Sequence, residues 1–96
     1  MIDIKGFCLP IMIGCYDKPD KCSVIAKDKK YGGYSLFICR LKKGVNLKFG
    51  DETPMDAIGK VICHIHFCKL EAAKSFLHAV ETLVSTWERE YENNEL

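Results

Sequence analysis

The stretch Cys63-His64-Ile65-His66-Phe67-Cys68 sets two imidazoles and two thiols within six positions. Imidazole nitrogen and thiolate sulfur are the usual protein ligands of zinc, and an imidazole near a thiol can also act as base to a nucleophile. Side chains alternate along a strand, so Ile62, His64, His66 and Cys68 share one face while Val61, Cys63, Ile65 and Phe67 share the other. The second set is apolar and reads as the face turned to the core, which makes Cys63 a small buried hydrophobe. Cys39, on a face with Phe37 and Leu41, reads the same way. In the first set, positions two apart stand about 6.8 Å apart and can share an ion, whereas positions four apart, nearly 14 Å, cannot. The strand therefore offers a pair, either His64 with His66 or His66 with Cys68. Cys68 also stands where the strand gives way to a helix, and the unpaired N–H groups there favour the metal-binding thiolate.

A tetrahedral site needs two more ligands, and the turn "CYDKPDKC" over 15–22 ends in cysteines that a four-residue loop would place opposite each other. The expected set is Cys15, Cys22, His66 and Cys68, with Cys8 and His64 as substitutes. Four protein ligands make a zinc structural, since a catalytic zinc keeps one position for water. The competing reading treats all the thiols and both histidines as packing or surface residues.

The elements that must position these groups follow from periodicity. Apolar runs at 2–9, 11–15, 22–26, 34–41 and 60–67 are rich in β-branched and aromatic residues and are separated by "YDKPDK", "YGGY" and "KKGV", whose Pro and Gly favour turns. They predict an antiparallel meander of about five strands. "GDETPMDAIG" over 50–59 is a loop. From Lys69 the period becomes about 3.6, and Ala73, Phe76, Leu77, Val80, Leu83, Val84 and Trp87 form one stripe. The expectation is a single α+β domain over 1–96, with the sheet in 1–67, an amphipathic helix over 69–92 laid along one sheet face, and a frayed tail at 93–96.

A chain of 96 residues with 48% hydrophobic and 28% charged side chains belongs to the globular class. No stretch reaches the roughly 20 apolar residues of a membrane span, and the N-terminal segment, with Asp3 and Pro10, does not read as a secretion signal. A reducing cytoplasm is the expected location, where six cysteines are free thiols or ligands rather than disulfides. The net charge of +1 hides an asymmetry, because residues 1–50 carry ten Lys or Arg against four Asp, and residues 51–96 carry four against nine acidic groups. Such polarity can steer a partner.

Catalysis finds little footing. There is no Cys-x-x-Cys, no phosphate-binding glycine loop and no third group to orient a cysteine–histidine pair. A nucleic-acid role has "KDKKYGGY", where Lys27, Lys29 and Lys30 adjoin Tyr31 and Tyr34 and could contact phosphates and stack bases. A protein-binding role has the acidic end "WEREYENNEL". In its size, its strands followed by one long helix, that acidic end, and "CYDKPDKC" with "CHIHFC" as metal-holding parts, the chain resembles the small phage-encoded anti-CRISPR proteins, in particular a zinc-containing type II-A inhibitor. The resemblance implies a structural zinc and stoichiometric occupation of a type II RNA-guided nuclease, as monomer or dimer, with the helix glutamates Glu81, Glu88 and Glu92 as the contact.

Overall fold

In the computed structural model, which describes residues 3–4, 8–14 and 17–94, the alternating segments form one antiparallel sheet and the 3.6-period segment forms one helix, an α+β architecture. Strands β1 (Asp3–Ile4) and β2 (Leu9–Ile11) both pair with β3 (Lys21–Lys27). β3 pairs with β4 (Tyr34–Leu41), and β4 with β5 (Ile58–Phe67). Because β1 and β2 lie along the same edge of β3, the sheet is four strands across instead of five, with its first edge broken in two. A 3₁₀ turn at Met55–Ala57 leads into β5, and α1 (Leu70–Asn94) follows after Cys68 and Lys69.

The turns are built from local chemistry. The Asp20 carboxylate accepts the Ile13 and Gly14 N–H groups at 2.8 and 3.0 Å and the Lys21 ammonium at 2.8 Å, closing the loop between β2 and β3. The bond from Lys21, then those from the backbone, lower its pKa to about 2. Between β3 and β4, Asp28 Oδ1 accepts the N–H groups of Lys30 and Tyr31, both at 2.9 Å, and the Asp28 N–H donates to the Gly33 carbonyl at 3.1 Å. Gly33 sits at φ 77°, and a Cβ there would run into the Phe67 carbonyl at the end of β5.

The register divides the sheet into two faces. Cys22, Val24 and Ala26 of β3 lie beside Cys39, Phe37 and Ser35 of β4, and Phe37 and Ser35 lie beside His64 and His66 of β5. We call this the histidine face. Opposite it, Ser23 and Ile25 lie beside Ile38 and Leu36, which lie beside Cys63 and Ile65; this is the isoleucine face. The pairing shifts between Ile38 and Cys39, so Ile62 is passed over and Val61 joins the histidine side, paired with Cys39.

On β5 the expected assignment of inside and outside is reversed, whereas on β4 Cys39 is buried on a core face with Phe37 and Leu41, as expected. The buried cluster, Cys8, Cys22, Val24 and Cys39 with Phe37, Leu41 and Ile58 packed against it, lies on the histidine face. The segment returning over it is anchored by the Thr53 N–H, which donates to the Cys8 carbonyl at 2.7 Å, and Thr53 and Ala57 are buried. Cys63, expected in the core, is exposed. A methylene-poor core results: among the described residues the buried apolar side chains are Cys, Val, Ala and Pro, while eighteen large apolar or aromatic ones are exposed.

The helix has the expected bounds to within two residues and the expected stripe, yet it does not lie along the sheet. It meets β5 near its own start, where Phe76 packs edge-to-face on Phe67 at 5.5 Å between centroids. Ala73 is half-buried, and every residue from 74 to 93 is exposed. The molecule measures 52 × 37 × 20 Å with a radius of gyration of 15.5 Å. A compact domain of this length would have about 12.5 Å.

Candidate functional site

The sequence motif around His64 and His66 does assemble a polar cluster, but the central atom is the hydroxyl of Ser35. Ser35 stands on β4 directly beside His66 and one pair from His64, so both rings reach the same oxygen. Ser35 Oγ lies 2.9 Å from His64 Nε2 and 3.0 Å from His66 Nδ1. A hydroxyl has a single proton, so it donates to one ring nitrogen and accepts the N–H of the other. His64 is further fixed by stacking on Phe37, with centroids 4.3 Å apart and planes at 17°. Of the two ring nitrogens left over, His66 Nε2 is buried and has no hydrogen-bond partner among the described residues.

This cluster borders a cavity of about 630 Å³ on the histidine face, lined by Ser35, Phe37 and His64 below and by Lys27, Asp28, Lys30 and Tyr31 of the turn above. The Lys30 ammonium stands 5.1 Å from the centre of the Tyr31 ring, a cation–π contact. Backbone hydrogen bonds from Tyr31 and Lys30, with His66 and Lys30 nearby, keep the Asp28 carboxyl below the usual range. That carboxylate is therefore committed to the turn and does not orient a histidine.

The described members of the expected zinc set, Cys22, His66 and Cys68, do not converge. Cys22 is aligned across the sheet with Cys39, whereas His66 is aligned with Ser35 and Ala26, four positions further along β3. That is about 13 Å, and ligands of one zinc each stand about 2.0–2.3 Å from it. Cys68 lies beyond His66, farther still from Cys22. The β2 partner of Cys22 is Pro10, so the hairpin closes earlier than the four-residue loop requires; Cys15 lies outside the described residues. Cys8, the substitute, is packed with Cys22 in the core, and His64 is held by Ser35 and Phe37. Among the described residues no group of three His, Cys, Asp or Glu side chains is disposed to hold a metal ion.

The core thiols are also poorly suited to thiolate chemistry. Burial, followed by the neighbouring Cys39 and Cys8, pushes the Cys22 thiol up to about 11, and burial raises Cys8 and Cys39 as well. Ser35 and Phe37 are the residues that sequence reasoning missed. The available signal was a serine at an apolar register position in "YSLFICRL", which antiparallel pairing with "CHIHF" brings onto the histidines.

The second candidate surface is α1. Its stripe, Phe76, Leu77, Val80, Leu83, Val84, Trp87 and Tyr91, is exposed throughout, Trp87 at 67%. At 100° per residue, Glu81, Glu88 and Glu92 fall along one flank of that stripe, and all three are exposed. Among the described residues no helix is long and apolar enough to cross a membrane. Comparison with protein-family models, with characterised proteins and with solved structures found no match.

Proposed function

We propose that this chain is a non-catalytic protein-binding module whose working element is α1. The observation that carries the reading is a 25-residue helix whose apolar stripe, including a tryptophan, is left uncovered along its length. Soluble monomers rarely expose a contiguous apolar patch beyond a few hundred Å², and larger ones mark interfaces. Aromatic anchors with an acidic flank are the composition of a binding site for a protein with a basic surface. The partner class implied by the sequence resemblance, a type II RNA-guided nuclease, has such a surface where it holds nucleic acid.

The test is direct. The purified chain should form a stoichiometric complex with a guide-loaded type II nuclease and slow its DNA cleavage. Glu81→Lys with Glu88→Lys should weaken that complex at least tenfold at low salt and less at high salt, because rim charges act mainly through screened attraction. Unchanged affinity on charge reversal discards the glutamate contact, and no complex with any such nuclease discards that partner class.

A second reading is favoured by the cavity under the basic turn, where Lys27, Lys30 and Tyr31 face His64 and Phe37. Cations beside aromatic rings suit the phosphates and bases of a single-stranded nucleic acid. Binding of a random oligonucleotide, falling steeply with salt and lost in Lys27→Glu with Lys30→Glu, supports it; affinity flat in salt sinks it.

A further inference from the structure

We propose that the first partner of α1 is a second copy of this chain, each helix lying across the isoleucine face of the other copy. The inference rests on the reading of α1 as a binding element and names its occupant. Four observations carry it.

The isoleucine face and the helix stripe are both apolar, both incompletely covered, and both present on every chain. Ile25 on the one and the stripe residues from Phe76 to Tyr91 on the other are exposed, and within one chain Phe76 of the helix packs on Phe67 of β5. A two-fold exchange covers both surfaces on both chains at once, which no smaller ligand does.

The charges match as well. The cations of β3 and β4 are Lys21, Lys27 and Arg40, with no acidic residue in either strand; the register puts Lys21, which also pairs with Asp20, and Arg40 at one end of the isoleucine face, while Lys27 at the other end of β3 borders the cavity on the histidine face. α1 carries five Glu against one Lys and one Arg. An apolar centre rimmed by cations on the sheet thus meets an apolar stripe flanked by glutamates on the helix.

Size agrees with this. Seven large side chains of the stripe, between 39% and 67% exposed, offer an area in the class of the roughly 800 Å² that one partner contributes to a standard interface. Finally, the chain alone lacks an adequate core. Among the described residues the largest fully buried side chains are Cys22 and Cys39, and covering the isoleucine face would supply the second packed layer that a sheet requires.

The experiment measures mass in solution together with thiol accessibility. Wild-type protein at micromolar concentration should have twice the 10.9 kDa mass of one chain. Cys63, on the isoleucine face and exposed in the single chain, should label at least tenfold more slowly in the dimer than in Leu83→Glu with Trp87→Glu, which should be monomeric. A charge pair guards against simple misfolding of that variant: Arg40→Glu should weaken the dimer, and mixing it with Glu81→Lys with Glu88→Lys should restore association as a heterodimer. A monomer in which both Cys63 and an introduced Leu83→Cys label freely overturns the self-pairing while leaving α1 open for another protein. A monomer in which both are protected means that α1 folds back on its own sheet, and the binding-element reading fails too. A dimer with freely labelled Cys63 means that the helices pair with each other, which also overturns the proposal.

Discussion

Ser35 shows how a single hydroxyl can set the character of a sheet face. Two histidines would make the β5 face look solvent-facing, yet Ser35 satisfies one nitrogen of each ring and Phe37 stacks on His64, so the polar groups sit beside a cluster of thiols and aliphatics. The thiols behave accordingly. Cys22 is wholly inaccessible, and its pKa stands at about 11 against an ordinary 9.0 because burial disfavours the thiolate. A group whose folded pKa is raised favours the protonated fold, so its contribution is present in full below about pH 9 and is lost as pH climbs from 9 to about 11. Thermal stability should therefore decline across that alkaline window, and Cys22→Ala, though less stable at neutral pH through lost packing, should show a shallower decline. An equal alkaline slope in both proteins would place the loss elsewhere. At the acid end the sign is opposite: Asp20, lowered to about 2 chiefly by Lys21, holds the Ile13 and Gly14 amides at pH above about 4 and releases them as pH falls toward 2.

Among the elements, the meeting of the β3–β4 turn with the end of β5 depends on one glycine. Gly33 has φ 77°, and its missing Cβ leaves room for the Phe67 carbonyl. Gly33→Ala combines a disfavoured left-handed backbone with a backbone collision that no side-chain rotation relieves, and should cost about 2–4 kcal/mol. Gly32→Ala, at the same φ but with open space around it, should cost only about 1–2 kcal/mol. Urea midpoints of the two variants check this, and equal losses would show that the contact with Phe67 is immaterial. At this scale much could be read in advance. The alternation of "CHIHFC" fixed β5, the stripe from Ala73 to Trp87 fixed α1, and the glycines of "YGGY" over 31–34 marked the turn into β4. The faces were not legible, because the shift at Ile62 moves Val61 to the opposite side and because His66, half-buried against a serine from another strand, looks the same in sequence as the exposed His64. The described members of the zinc set stand apart for a related reason: the reading brought Cys15 and Cys22 together on an assumed four-residue loop, but the strands pair Cys22 with Pro10 and carry His66 to the other end of the sheet.

Taken as a whole molecule, the chain is a thin sheet with a helix of about 37 Å standing largely free of it. Periodicity could predict that α1 buries a stripe but not on which copy of the sheet, since cis and trans packing demand the same pattern. The two differ in how stability depends on concentration. If α1 is covered in trans, association is part of folding, and dilution favours the unfolded chain by mass action. The thermal midpoint should then rise steadily with protein concentration across the micromolar range, while Leu83→Glu with Trp87→Glu should show a low midpoint that does not move. The radius of gyration gives an independent reading: scattering from the dissociated variant should approach the 15.5 Å of the extended single chain, and not the 12.5 Å or so of a compact domain this long. A wild-type midpoint independent of concentration, together with compact scattering, would instead mean that the helix closes on its own sheet, leaving the turn above Ser35 as the surface on which a partner must act.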